Sequence, residues 1–327
     1  MLLKYPSASR RSVIAGLGAL AATPAMAGIC AKSRANLAPL QTAMAQGRFV
    51  AYQPTALKAI DGRLTHASDA AIHADLSVLR PYFDGLITYG VLAGAERIPD
   101  VAAALNFKSV IVGVWDPANE QEIENAIAAW KRNPKLVSGV SLGNEVVFGK
   151  RGTWRDLAKA LSRTRARAPG LPLSVSEPFA QYLDRPDARL ALAQMDFMLV
   201  NIHPIFEPWF KSAPPANWAD FVVKVTALLA AAYCGPILVK ETGVPSGPQS
   251  AGFSESRQAA FWRELEKRLA PGRMRAFAYL TAFDQPWRTT DFNPVPGPHP
   301  EEAHWGLFTE ARRPKPIVAG LRKLDGY

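Results

Sequence analysis

Cysteine and histidine are scarce: the 327-residue chain has two of the first, Cys30 and Cys234, and five scattered copies of the second. That scarcity excludes a zinc-type ligand cluster and a disulfide-dense scaffold, so no metal site is expected. The two cysteines can pair only in an oxidising compartment, and Cys30 lies close to the chain start. Past the N-terminus, no stretch approaches the roughly 20 consecutive apolar residues that span a bilayer, so no stable membrane insertion is expected. A glycine-rich nucleotide fingerprint is also missing. The first strand candidate runs into Tyr52-Gln53-Pro54 instead, which speaks against a doubly wound dinucleotide fold, and no cofactor is expected. Internal repeats and low-complexity linkers are absent too.

The charge balance is basic, +10 at neutral pH, but the basic residues are spread out. The densest group, Arg163, Arg165 and Arg167, sits near a helix end and reads as a solvated face. Nothing matches a nucleic-acid module, so no nucleic-acid partner is expected. The expected state is a monomer.

The first 27 residues are unlike the rest. Lys4, Arg10 and Arg11 precede a small-residue apolar run from Val13 to Ala22, and Ala25-Met26-Ala27 has the A-x-A form of a cleavage site. This is the pattern of an export signal, and Ser9-Arg10-Arg11-Ser12-Val13-Ile14 is similar to the twin-arginine type. Cleavage near Ala27 would leave 35 basic and 28 acidic residues, a net of +7. The expected organisation is a signal over 1–27, a lead-in over 28–47 and one catalytic domain over 48–327, in a periplasmic or secreted protein.

From residue 48 onward, short β-branched runs alternate with longer amphipathic stretches. Eight strand candidates appear: Phe49–Gln53, Gly85–Tyr89, Ser109–Val114, Leu136–Leu142, Leu173–Ser176, Phe197–Ile202, Ile237–Lys240 and Met274–Thr281. Between them, Ile123, Ile127 and Trp130 share a helical face, as do Phe221, Val225 and Leu228, and Phe261, Leu265 and Leu269. A last helix is expected over Ile317 to Leu324, and a proline-rich loop from Asp284 to Glu302 over the barrel mouth. Eight β/α alternations imply a parallel sheet closed on itself, a single (β/α)8 TIM barrel in the α/β class.

Barrel chemistry sits at the C-terminal ends of the strands. Two glutamates fall there: Glu145, after the run VSGVSLGN, and Glu241, after ILVK. A buried strand that ends on a carboxylate needs a reason, because removing a charge from water is costly. Strands four and seven face each other across a barrel, so both carboxylates can enter one cleft. Such a pair is the machinery of glycoside hydrolysis, with one carboxyl protonated and the other ionised. A separation of about 5 to 5.5 Å gives retention through a covalent glycosyl-enzyme. Other carboxylates have quieter readings. Glu120, Glu122 and Glu124 read as residues of a helix start that are solvated or favour the helix dipole, and Glu264 and Glu266 as a charged helix face. Glu177 ends a strand before Pro178 and is a candidate to line the cleft, while Asp116 and Asp284 end strands and are either subsite or loop-capping residues.

Gly143-Asn144-Glu145-Val146 and Lys240-Glu241-Thr242-Gly243-Val244-Pro245-Ser246-Gly247 resemble glycoside hydrolase family 17, the β-1,3-glucanases and β-1,3-glucanosyltransferases. Val50-Ala51-Tyr52-Gln53-Pro54, Asn201-Ile202-His203-Pro204-Ile205-Phe206, Phe283-Asp284-Gln285-Pro286-Trp287-Arg288 and Ala303-His304-Trp305-Gly306-Leu307-Phe308 resemble further parts of its bacterial and fungal branch, in order. The resemblance implies a retaining double displacement with Glu145 as acid/base, Glu241 as nucleophile and Asn144 bonded to the sugar 2-hydroxyl. It also implies a β-glucan substrate, with β-1,3-glucan foremost, and leaves hydrolysis and transglycosylation both open. Val244, Gln285 and His203 depart from common residues of the family. His203, where relatives place a tyrosine, is a donor to Glu241 or a packed neutral imidazole. Two other readings remain: a neighbouring cellulase or mannanase family, whose acid is commonly followed by proline rather than Val146, and a catalytically silent glucan-binding barrel.

Aromatic residues supply the remaining candidates, because sugars stack their C–H faces on rings. Tyr52, Tyr89, Trp115, Phe148, Phe179, Trp209, Phe283, Trp287 and Trp305 fall at or beyond strand ends. Trp209, Trp287 and Trp305 lie furthest into loops and are the expected platforms. Trp130, Trp154, Trp218 and Trp262 fall on helices and read as core.

Overall fold

The computed structural model describes residues 35–60, 63–290 and 298–326. The export-signal segment, Cys30 and part of the proline-rich loop lie outside the described residues. Eight parallel strands close into a barrel: β1 (Phe49–Ala51), β2 (Gly85–Ile87), β3 (Ser109–Val114), β4 (Val137–Asn144), β5 (Leu173–Pro178), β6 (Met198–Asn201), β7 (Ile237–Glu241) and β8 (Arg275–Tyr279). Closure is made by Phe49 and Val50 of β1 pairing with Ala278 and Tyr279 of β8. Strands covered on both faces need apolar side chains throughout, so they read as continuous runs rather than alternations. All of β3 and β4 is buried accordingly. A short antiparallel hairpin, Ala59–Ile60 with Arg63–Leu64, leaves the loop after β1 and packs beside the Pro286–Thr290 turn after β8.

Helices form the outer layer: α1 (Ala38–Gln46), α2 (Asp69–Leu79), α3 (Ile98–Ala104), α4 (Glu120–Arg132), α5 (Trp154–Arg167), α6 (Phe179–Leu183), α7 (Arg189–Leu192), α8 (Pro215–Ala232), α9 (Glu255–Arg268) and α10 (Pro316–Ala319). Their starts follow from local chemistry. Asn119 caps α4 by accepting from the amides of Gln121 and Glu122, and Thr153 with Asp156 forms a reciprocal capping box on α5. The stripes seen in the sequence face the barrel, with Ile123, Ala126 and Ile127 buried on α4 and Trp218, Phe221, Val222, Val225 and Leu229 on α8. Trp154, Trp218 and Trp262 are fully buried, as expected of core.

Three expectations need correction. The segment over 28–47 is more than a lead-in, because α1 lies against β8, β3 and β4. Its Leu40 and Met44 are completely buried against Phe49, Ile87, Ile111, Phe197, Leu199 and Leu238. Inward-facing side chains of the lowest barrel layer leave an apolar opening, and α1 closes it. The last helix stops at Ala319 instead of reaching Leu324. Glu122 is only 3% exposed, not solvated, because its carboxylate turns back to accept the amides of Trp115 (2.7 Å) and Asp116 (3.3 Å). Cys234 is disulfide-bonded.

Candidate active site

β4 and β7 each carry an extra residue near the C-terminal end. Between β4 and β5 the register moves from Ser141 opposite Ser174 to Asn144 opposite Ser176. Between β6 and β7 it moves from Val200 opposite Val239 to Asn201 opposite Glu241, which leaves Lys240 as the inserted residue. A bulge breaks the strict alternation of side chains and re-aims the residues after it. Neighbouring residues Lys240 and Glu241 therefore both reach the same polar cluster.

Past β4 the chain turns sharply. Gly143 has φ +92°, where an added Cβ would meet Val146 Cγ2 at 2.5 Å. Glu145 itself sits at φ +55°, a left-handed conformation disfavoured for a residue with a side chain. Its surroundings hold it there. The Glu145 amide donates to Ser176 O (2.8 Å), and the Gly149 amide donates back to Glu145 O (2.8 Å). Glu177, fully buried at the end of β5, accepts the amides of Val147 (2.8 Å) and Phe148 (3.1 Å). Burial raises the Glu177 carboxyl to about 8, the two amide bonds oppose the rise, and the Glu145 charge adds to it. Glu177 is thus a clamp on the Glu145 turn and does not line the cleft.

Glu145 and Glu241 meet across the mouth. One oxygen from each and a ring nitrogen of His203 all lie within 4.8 Å of one another. Glu145 Oε1 accepts from Asn201 Nδ2 at 2.9 Å. Glu241 has Lys240 Nζ 3.4 Å from Oε1 and His203 Nε2 3.5 Å from Oε2. Lys240, itself buried, donates to Asn144 Oδ1 at 2.6 Å and lies 4.3 Å from the Tyr89 ring centre. The trio could offer three ligand atoms to a cation, yet an ammonium and an amide NH2 already face its carboxylates. The arrangement suits proton and bond chemistry at the pair.

The two carboxyls are pushed apart. Burial and the Glu241 charge raise Glu145, and together they outweigh the Asn201 bond and the His203 and Lys240 charges. Burial would also raise Glu241, but Lys240, His203 and Arg288 outweigh it and hold that carboxyl well below the ordinary range. Burial lowers Lys240, and the glutamates pull it back up, so the ammonium depends on its carboxylate neighbours. The shifts are opposed: the surroundings favour the protonated form of Glu145 and the ionised form of Glu241.

A cleft of about 890 Å³ opens over the pair. Of the residues anticipated from the sequence, Tyr52, Tyr89, Asn144, Glu145, His203, Glu241, Trp287 and Trp305 line it. His203 Nε2 lies 3.5 Å from Glu241 Oε2, and its ring meets Trp305 edge-on at 5.4 Å. Two anticipated residues lie elsewhere. Trp209 packs edge-on against Phe221 of α8 and is not on the cleft wall. Asp284 pairs with the buried Lys315 at 2.6 Å and accepts the Gly306 amide at 3.0 Å, tying the loop after β8 to the C-terminal segment. Lys240 and Asn201 went unnoticed as site residues, whereas Trp115, named among the strand-end aromatics, lines the cleft. Alternation points Lys240 away from Glu241, and only the bulge reverses that.

The BtgE/BtgC glycoside hydrolase domain matches residues 50–306. A glucan 1,3-β-glucosidase of Arthroderma benhamiae is 24% identical over 79% of this chain and 87% of its own length. An active-site mutant of Rhizomucor miehei β-1,3-glucanosyltransferase, solved with laminaritriose, superposes with a TM-score of 0.62 at 19% identity. That match covers 83% of this chain and 96% of the other. A family 2 β-galacturonidase of Eisenbergiella tayi has the same TM-score at 15% identity, over 85% of this chain but 50% of its own. At such identities the structural matches speak for the barrel. A second structure of the Rhizomucor enzyme is a family 17 member, in keeping with the resemblance drawn from the strand-end motifs. With the domain match spanning most of the barrel and two opposed glutamates at its mouth, the chain belongs to the BtgE/BtgC glycoside hydrolase family.

Proposed function

We propose that the protein is an exported retaining enzyme of β-1,3-glucan metabolism, with Glu241 as nucleophile and Glu145 as acid/base. The observation that carries this reading is the opposite electrostatic treatment of two carboxyls held within 4.8 Å. That separation is short, as in retaining enzymes, and not the roughly 6.5 to 9.5 Å of inverting ones. A Glu241 oxygen attacks the anomeric carbon, Glu145 gives its proton to the leaving oxygen, and the glycosidic bond breaks. The covalent glycosyl-enzyme is then opened by a hydroxyl whose proton returns to Glu145. Asn144 Oδ1 is already taken by Lys240, which leaves Nδ2 for the sugar 2-hydroxyl. Water as acceptor gives hydrolysis and a second sugar gives transfer, through one intermediate. The Arthroderma relative is named for the first outcome and the Rhizomucor relative for the second, and both names support β-1,3-glucan. Export rests on the sequence pattern of residues 1–27; among the described residues no helix is long and apolar enough to cross a membrane.

Proton NMR of products from laminari-oligosaccharides tests this, with Glu145→Ala and Glu241→Ala in parallel. The parent should first release β-anomers or longer transfer products. Each variant should lose about 10²- to 10⁴-fold or more in kcat. A first-formed α-anomer would rule out retention. Turnover confined to β-1,4-glucan or mannan would move the enzyme to the neighbouring families. Binding without turnover by the parent would favour the silent barrel.

A further inference from the structure

Trp115, the first residue after β3, stands apart from the other tryptophans. It is 47% exposed, whereas Trp154, Trp218 and Trp262 are buried in the core. It lines the cleft, as do Gly90 and Asp116. Ile60 and Leu64 are as exposed, but a tryptophan ring in a ligand-sized cleft has the flat apolar face on which a sugar can stack.

The ring is also held in place. Its amide donates to the buried Glu122 at 2.7 Å. The Arg151 guanidinium carbon lies 4.5 Å from the ring centre, a cation–π contact that covers one face. Arg151 is fixed in turn, donating to Trp115 O at 3.3 Å and to Asn144 O at 2.5 Å. One guanidinium therefore joins the ring to the backbone just before the acid/base. Tyr89, His203 and Trp305 gather around the glutamate pair, through Lys240, Glu241 and each other, whereas the contacts of Trp115 run to Glu122 and Arg151. Asp116 and Lys150 line the same cleft, with groups able to bond hydroxyls.

We propose that Trp115, backed by Arg151, is a stacking platform for a neutral pyranose unit of the oligosaccharide beyond the unit that reacts. The platform rests on the glucan reading above. It adds that the enzyme gains from chain length through this ring. The pyranose lays its C–H face on the side of the indole that Arg151 leaves open, while Asp116 and Lys150 bond its rim.

The test compares the parent, Trp115→Ala and Trp115→Phe on laminari-oligosaccharides of two to six units. In the parent kcat/KM should climb with length. Trp115→Ala should lose about tenfold of that climb and Trp115→Phe should keep most of it, as expected for loss of a ring contact. An equal loss at every length, or none at any, overturns the platform while leaving the catalytic pair intact. If the parent turns over none of the series, the β-1,3-glucan reading fails on its own. Fluorescence then decides the platform: a Glu241→Ala protein and its Trp115→Phe derivative are titrated with β-1,3-, β-1,4- and β-1,6-gluco-oligosaccharides. A quench that the derivative lacks upholds the platform, and the same response in both overturns it.

Discussion

Lys240 shows how much a single side chain decides in this site. It is 1% exposed, it orients Asn144, and it favours the ionised form of Glu241 while burial works against its own charge. Lys240→Met keeps much of the volume and removes the ammonium. Without it the Glu241 proton is held to higher pH, so the acidic limb of the kcat/KM profile should rise by about 1 to 3 pH units. On the roles proposed above, the alkaline limb reports proton loss from Glu145, which burial and the Glu241 charge also raise, so it should move far less. A pH profile of the variant checks both limbs. A profile that keeps its acidic limb would mean that His203 and Arg288 suffice to hold Glu241 ionised.

At the scale of elements, catalysis depends on how strand ends are tied to their neighbours. The turn after β4 is held by the end of β5, where Ser176 O takes the Glu145 amide and Glu177 takes two more. Glu177→Gln turns one acceptor oxygen into a donor facing a backbone amide, an unmet buried bond that costs about 1 to 3 kcal/mol. The slackened turn should lower kcat more than it changes KM. Stability gives a second readout with a definite sign. The folded carboxyl sits at about 8, against about 4.3 for a free glutamate, so Glu177 supports folding fully below pH 4.3. That support is lost as pH rises toward 8. Glutamine carries no such dependence. The Tm deficit of the variant should therefore shrink between pH 5 and pH 8.5, and a constant deficit would show that burial does not hold Glu177 protonated.

For the whole molecule, closure of the barrel floor matters as much as closure of the sheet. Leu40 and Met44 bring residues ahead of the first strand into the lowest core layer. Leu40→Ala should cost about 2 to 5 kcal/mol in denaturant unfolding, although the residue is remote from the cleft. A cost near zero would mean that α1 rests on the barrel without sealing it. The same helix shows where sequence pattern is weak. Leu40 and Met44 supply just two buried positions in a segment of alanine and glutamine, too few to announce a packed helix.

The strands themselves were legible, because a sheet covered on both faces demands unbroken apolar runs, and all eight lie where those runs fall. The glutamate pair was legible too, since a charge at the end of such a run has no packing reason to be there. Other features depend on contacts between segments distant in sequence. Glu122 folds back onto the end of β3, Trp209 finds Phe221, and Asp284 finds Lys315. The bulges in β4 and β7 are a matter of register between strands, and no single strand carries that information. The sequence alone therefore determined which carboxylates stand at the barrel mouth, through the cost of burying charge. Only the tertiary structure decided which of them binds a proton more tightly, because that depends on a lysine from β7, an asparagine from β6 and a histidine from the loop after β6, all brought to one place.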